Sequence, residues 1–188
     1  MELLHHIQRM ARYNQWANAV ILDAAATLSE TDLKSHASQP FRSIHGTITH
    51  ILLAQKLWLS RANPEYKCDD IGHFWANGQY AKPEDESSQW EKYETDPAKL
   101  GAMLRASDQA IIDFVCSSKL PANPTSAMTY KTTDGAEKSS PYDVSLLHLF
   151  NHSTHHRGQI TVGLIGRGIP PPEMDMIYWY RSHDQSKQ

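Results

Sequence analysis

Apolar residues in this chain recur mostly at intervals of three, four and seven, and this spacing predicts a helix-rich protein. The pattern is clearest over residues 3–26, where two neighbouring stripes form one broad apolar face. It returns over residues 43–62, and Asn63 with Pro64 ends that segment. Only nine glycines interrupt the 188 residues. The sequence therefore predicts at least two long amphipathic helices in its first third.

A third helix is expected over residues 88–117, with an interruption near Pro97. Between the second and third helices, residues 63–87 mix proline and glycine with aromatic side chains, which favours an ordered aromatic loop lying over a pocket. Downstream, the Asp134-Gly135 pair lies between alternating residues and indicates a small β-hairpin near residues 126–138.

The last long helix is predicted to start at Ser140 as its N-cap, with Pro141 in the first helical position. Gly166 or Gly168 should end it, before three consecutive prolines. We therefore predict an all-α fold: a four-helix bundle with long connectors and a small β-hairpin before the last long helix. A chain of this length suits a single domain over residues 1–188.

Composition excludes several functional classes. Five Trp, eight Tyr and four Phe are too many large apolar side chains for a disordered chain with a net charge of only -3, and that charge gives no reason to expect a nucleic-acid partner. No segment has the apolar length of a membrane span or the apolar core of a signal peptide, so no membrane partner is expected. Cys68 and Cys116 form no CxxC pair, which fits a reducing cytoplasm.

Histidine is the unusual residue: the chain has 11, four of them between His148 and His156. Residues four apart share a helix face, so either His148 with His152 or His152 with His156 can offer two imidazoles to one ion. The latter pair continues an inward-facing stripe that includes Gly163, a residue that leaves room for a neighbouring helix. His155 should point elsewhere.

A third ligand can come from the second helix, where His50 lies on an inward stripe and His45 does not. Facing helices of a bundle commonly build metal sites in this way. Three neutral imidazoles leave a coordination position open for water or substrate, which is typical of a catalytic metal. The alternative is that single histidines serve as surface residues or hydrogen-bonded partners.

Other residues on these helices have competing interpretations. Asn14 and Asn18 interrupt an apolar face, and they either orient ligands or, as we favour, form hydrogen bonds to a neighbouring helix. Arg157 either binds an anionic substrate group or is solvated or in a subunit contact. Trp16 and Trp58 are more often core or interface residues than substrate platforms.

Three blocks of sequence carry a family resemblance: ARYNQWAN at residues 11–18, SIHGTITHILLAQKLWLSR at 43–61 and HLFNHSTHHRGQI at 148–160. Their order and spacing resemble the DinB-like family of four-helix-bundle metalloproteins. The resemblance places that family's three metal ligands on His50, His152 and His156, and so decides against His148. Thr49 stands where many relatives have Asn, and Gln55 with Lys56 where an acidic residue is frequent.

The resemblance also implies a function. It suggests a nickel or zinc ion, frequent homodimers, and a metal-dependent enzyme of the thiol S-transferase or hydrolase type that acts on a small molecule with a low-molecular-weight thiol as cosubstrate. The alternative is a non-catalytic metal-binding protein that acts in a stress response or binds a ligand. A shared fold does not establish a shared reaction.

Overall fold

The protein, in a computed structural model that describes residues 2–36, 39, 41–68, 71–75 and 89–183, is a four-helix bundle with a small hairpin. The long helices are α1 (Glu2–Ala25), α3 (Ile44–Ala62), α4 (Pro97–Val115) and α5 (Tyr142–Ile165). Shorter elements connect or follow them: α2 (Glu30–Lys34), β1 (Ala127–Lys131), β2 (Glu137–Pro141) and α6 (Met176–His183). The predicted fold class is confirmed.

Each long helix makes its main contacts with two others. Both α1 and α3 pack against α4 and α5, so α1 and α3 lie diagonally across the bundle. The most extensive helix contact is between α3 and α5. A Cβ on Gly163 of α5 would lie 2.3 Å from Gln39 Nε2 and 3.0 Å from Ile44 Cγ1. The expectation that Gly163 makes room for a neighbouring helix is therefore met.

Local capping explains where the helices begin. Ser43 accepts a hydrogen bond from the Gly46 N–H and starts α3, as a good N-cap residue should. Asp96 caps α4 in the same way through the N–H groups of Ala98 and Lys99, with Pro97 in the first turn. The prediction of a helix from residue 88 was wrong in its start: residue 88 lies outside the described residues, and Trp90–Lys92 form only a short 3₁₀ turn. The Asp-Pro pair begins the helix.

The hairpin pairs β1 with β2 in antiparallel register, and Gly135 in the turn has a φ of 87°. The prediction that Ser140 caps the last helix was wrong. Ser140 pairs with Met128 in the hairpin, Pro141 is the N-cap, and α5 begins at Tyr142. The strand runs directly into the helix without a connecting loop. The helix ends as expected, with Gly166 at its C-cap.

Two apolar clusters fill the two ends of the bundle. One contains residues such as Ile7, Ile111 and Phe150, and the other contains residues such as Ile21, Leu104 and Ile160. Polar side chains occupy the level between them, including buried Asn18 and Asp108. The bundle therefore has a polar middle layer, and this layer positions the site described below.

Two further features complete the fold. The short helix α6, which the sequence analysis did not predict, places Trp179 against Tyr13 of α1 with the ring centroids 5.9 Å apart. In the part of the chain that the structure describes, no helix combines the length and apolarity that a bilayer crossing requires.

Candidate metal centre

Three imidazoles meet in the middle layer, where α3 faces α5. His152 Nε2 lies 3.1 Å from His50 Nε2 and 3.1 Å from His156 Nε2, and one nitrogen from each ring lies within 4.8 Å of the others. A tetrahedral ion with Zn–N bonds of about 2.0–2.1 Å separates its nitrogens by about 3.3 Å, which is close to these spacings. We call His50, His152 and His156 the histidine cluster.

Hydrogen bonding fixes one ring in the form that a metal needs. His156 Nδ1 lies 2.8 Å from Gln159 Oε1, and Gln159 Nε2 lies 3.1 Å from His155 Nε2. With the amide nitrogen donating to His155, the amide oxygen accepts from His156 Nδ1–H. His156 Nε2 then carries a lone pair directed at the cluster, the arrangement typical of metal-binding histidines.

Aromatic packing holds His50. Its ring stacks on Phe41 with the centroids 3.8 Å apart and meets Trp90 edge-on at 4.9 Å. His50 Nδ1 is buried and has no hydrogen-bond partner among the described residues. On the Nδ1 side, the orientation of this ring therefore comes from stacking rather than from a hydrogen bond.

Burial keeps the histidine cluster neutral. Desolvation, with smaller effects from the neighbouring histidines, lowers the pKa of His152 to about 3 and that of His50 well below its usual value. Burial also lowers the pKa of His156 to about 4, against the opposing hydrogen bond to Gln159. Neutral imidazole is the ligating form, and hydrogen bonds cannot satisfy three converging lone pairs as a cation would. The residues present therefore fit a divalent ion.

The other candidate histidines lie apart from the cluster. His148 is exposed, and its ring centroid is 5.8 Å from that of His152. His45 is buried elsewhere and donates through Nε2 to the Glu94 carbonyl at 2.7 Å. His155 lies outside the cluster and contacts Gln159.

The interpretation that Asn14 and Asn18 form hydrogen bonds to neighbouring helices agrees with the structure. Their Nδ2 groups donate to Asp108 Oδ1 at 3.0 and 2.9 Å, and their Oδ1 atoms each accept from Arg157 Nη1 at 2.8 Å. Gln55 Nε2 also donates to Asp108, at 2.9 Å. We call these five residues the polar network; it joins all four long helices beside the histidine cluster.

One interpretation for this region was wrong, and one residue of the network was not anticipated. Arg157 is only 2 % exposed, so it is neither solvated nor available to a substrate or to another subunit. Asp108 was missed, although it occupies the inward stripe between Leu104 and Ile111, where a carboxylate is unusual. Burial raises the pKa of Asp108 to about 7, against the opposing effect of its amide donors and Arg157.

A cavity gives access to the cluster. It has a volume of about 250 Å³, and its lining includes His152, His148, Trp58 and Trp75. Trp58 lines this cavity and also packs against the apolar cluster that contains Phe150. Trp16 packs beside Tyr13. Within the predicted aromatic loop, Phe74 and Trp75 pack around Trp90, and residues 76–87 lie outside the described residues.

Comparison with known proteins gives one clear result. No curated protein and no solved structure matched the chain. The model of the DinB family matches residues 3–187, which is nearly the whole chain and includes every member of the histidine cluster. Its bundle and its three-histidine group both fit that assignment. The chain belongs to the DinB family.

Proposed function

We propose that this protein is a metal-dependent enzyme that acts on a small molecule, with His50, His152 and His156 as the metal ligands. The observation that carries the proposal is the convergence of three neutral imidazoles at a point beside a cavity. A divalent ion held there would lower the pKa of a bound thiol or water. Nickel and zinc are both consistent with an all-imidazole ligand set.

The surrounding residues support a reactive rather than a purely structural site. Phe41 and Trp90 cover His50 and exclude water from that side, whereas His152 lines the cavity. A small molecule can therefore approach along the cavity that His152 lines. Thiol S-transfer is the reaction we favour: the thiolate sulfur bonds to an electrophilic carbon, the leaving group departs with its electron pair, and the thiol proton passes to solvent. Hydrolysis would use water in place of the thiol.

A non-catalytic role remains the second candidate, and one observation favours it. The group of possible ligands found among the described residues contains three histidines and no carboxylate, so it brings no general base of its own. In that case the ion would serve to join α3 to α5.

The test combines metal content, folding and turnover. We expect His152→Ala to lose bound metal and all activity in assays of thiol conjugation and ester hydrolysis, and to remain folded. His6→Ala, which removes an exposed histidine of α1, is the matched control and should keep both. If His152→Ala retains its metal stoichiometry, the ligand assignment is wrong. If metal removal lowers the melting temperature strongly and neither assay shows turnover in the loaded protein, the non-catalytic role is correct.

A further inference from the structure

A second cavity adjoins the one beside the histidine cluster. The second cavity has a volume of about 460 Å³ and lies between α3 and the hairpin. The two share Leu57, Arg61, Thr132 and Thr133 as lining residues. Arg61 therefore stands between the approach to His152 and the wider space beyond it.

The charged side chains described in the lining of the two cavities are all basic. The lining of the two cavities includes Arg61, Lys67 and Lys131, and no Asp or Glu occurs among the described lining residues. The chain as a whole carries a net charge of -3, so this concentration of cations is a local feature. Positive clefts attract anionic ligands and raise their local concentration.

Neighbouring residues hold the Arg61 side chain in place, but not all of its N–H groups have hydrogen-bond partners among the described residues. Its guanidinium stacks over the rings of Trp58 at 4.6 Å and Tyr130 at 4.9 Å, and Nη2 donates to the Lys131 carbonyl at 3.0 Å. Its Nε is buried without a hydrogen-bond partner among the described residues, and no ion pair to Arg61 occurs there. A buried donor without a partner is costly, and a ligand that accepts from it would recover that cost. Burial also lowers the pKa of Arg61.

The spacing along α3 sets the size of such a ligand. Arg61 follows His50 by eleven residues, about 16 Å along a helix axis, and helical side chains lean towards the N-terminus. A long Arg side chain leaning back over Trp58 leaves on the order of 10 Å to the histidine cluster. Ala54 and Leu57 line the cavity between the two, which provides an apolar path for the middle of the ligand.

We infer that Arg61 binds the carboxylate of a small-molecule substrate whose other end reaches the histidine cluster. The inference rests on the proposed function of that cluster. A planar guanidinium suits a carboxylate, which it can bind through two parallel hydrogen bonds. Thr133 on the hairpin also lines the shared wall and offers a hydroxyl group.

The test compares two thiols that differ only in their far end, 6-mercaptohexanoate and 6-mercaptohexanol. Each is titrated by calorimetry into cobalt-loaded protein, and the cobalt–thiolate absorption band reports separately whether sulfur reaches the metal. We expect the wild type to bind the acid about tenfold more tightly than the alcohol, because only the acid forms a charge-assisted pair. Arg61→Gln should abolish this preference without weakening the binding of the alcohol.

Two control variants distinguish direct binding of the carboxylate by Arg61 from an indirect effect on the structure. Arg61→Lys keeps the charge but loses the bidentate geometry, so it should retain part of the preference. Arg105→Gln, which removes an exposed arginine of α4, should leave the preference unchanged. Equal binding of acid and alcohol by the wild type, no binding of the acid, or a preference that survives Arg61→Gln would overturn the inference. An Arg61-dependent preference without the absorption band would support the carboxylate site at Arg61 and overturn the second half of the inference, that the other end of the ligand reaches the histidine cluster.

Discussion

Gln159 shows how one uncharged residue can orient a histidine that could hold a metal ion. Its amide oxygen accepts a hydrogen bond from His156 Nδ1, and its amide nitrogen donates one to His155. A flip of the side-chain amide would therefore lose both hydrogen bonds. Its backbone carbonyl also accepts from Gln39 Nε2 at 2.8 Å. The residue therefore sets the tautomer of His156 from outside the histidine cluster.

Replacing Gln159 should weaken metal binding without unfolding the protein. We expect Gln159→Leu to lower the affinity for zinc by about 10- to 100-fold, the usual effect of removing a partner of a ligating histidine. Competition with a chromophoric chelator measures this affinity. Gln109→Leu removes an exposed glutamine of α4 and should bind zinc as the wild type does. Equal affinities in the two variants would show that Gln159 does not orient the ligand.

The residue scale also shows what a sequence can and cannot reveal about the site. The sequence predicted that His152 and His156 share a helix face and that His50 points inward, because helix geometry fixes which residues share a face. Periodicity left His148 open as an alternative, since it lies the same four residues from His152 on the other side. The burial of Arg157 could not be predicted, because it depends on hydrogen bonds to Asn14 and Asn18, which lie 143 and 139 positions away on another helix.

At the level of elements, α3 and α5 must approach closely to bring the histidine cluster together. Gly163 permits this, because any Cβ there would meet Gln39 and Ile44. Gly158 lies on the same helix, where an added Cβ would have no atom within 4 Å. The two glycines thus lie on the same helix but differ in how closely other residues pack around them.

We expect Gly163→Ala and Gly158→Ala to change stability in opposite directions. Gly163→Ala should lower the free energy of unfolding by about 1–3 kcal/mol through overpacking. Gly158→Ala should raise it by up to about 1 kcal/mol, because alanine is the better helix former. Urea unfolding of the metal-free proteins measures both effects. A stabilising Gly163→Ala would mean that the α3–α5 contact is looser than the structure shows.

Element boundaries were less predictable than element types. All four long helices and the hairpin follow from periodicity and turn residues, but α4 began nine residues later than expected, at Pro97 instead of residue 88. The helix α5 begins later than predicted because Ser140 is a strand residue of the hairpin. At Ser140 the local signals supported either element and strand pairing decided between them, whereas the Asp96-Pro97 pair set the start of α4. The helix α6 is stabilised mainly by Trp179 against α1, a contact that has no local signature.

At the level of the whole molecule, the polar network joins the four long helices through one buried carboxylate. Asn14 and Asn18 of α1, Gln55 of α3 and Arg157 of α5 all surround or bridge to Asp108 of α4. Asp108 is only 2 % exposed, so its ionisation is coupled to folding of the entire bundle. Burial raises its pKa from 3.8 to about 7, and the nearby charge of Arg157 and the three amides oppose that shift.

This shift makes the network's contribution to stability depend on pH, with a definite sign. Between about pH 4 and 7 the folded protein holds a proton on Asp108 that the unfolded chain releases, so this contribution is complete below pH 4 and declines as the pH rises through 7. The decline amounts to about 1.4 kcal/mol per pH unit for one proton. The asparagine of Asp108→Asn cannot titrate, so the variant should not show this decline in stability with pH.

We therefore expect the difference in stability between the wild type and Asp108→Asn to shrink as the pH rises from 4.5 to 6.5. Urea unfolding with a chelator present measures it, since the histidine cluster is then metal-free in both proteins and its own titration cancels in the difference. Asp113→Asn alters an exposed carboxylate on the same helix and should differ from the wild type by a nearly constant amount. A difference that does not change with pH would show that Asp108 is ionised in the folded protein throughout this range, with Arg157 and the amides outweighing its burial.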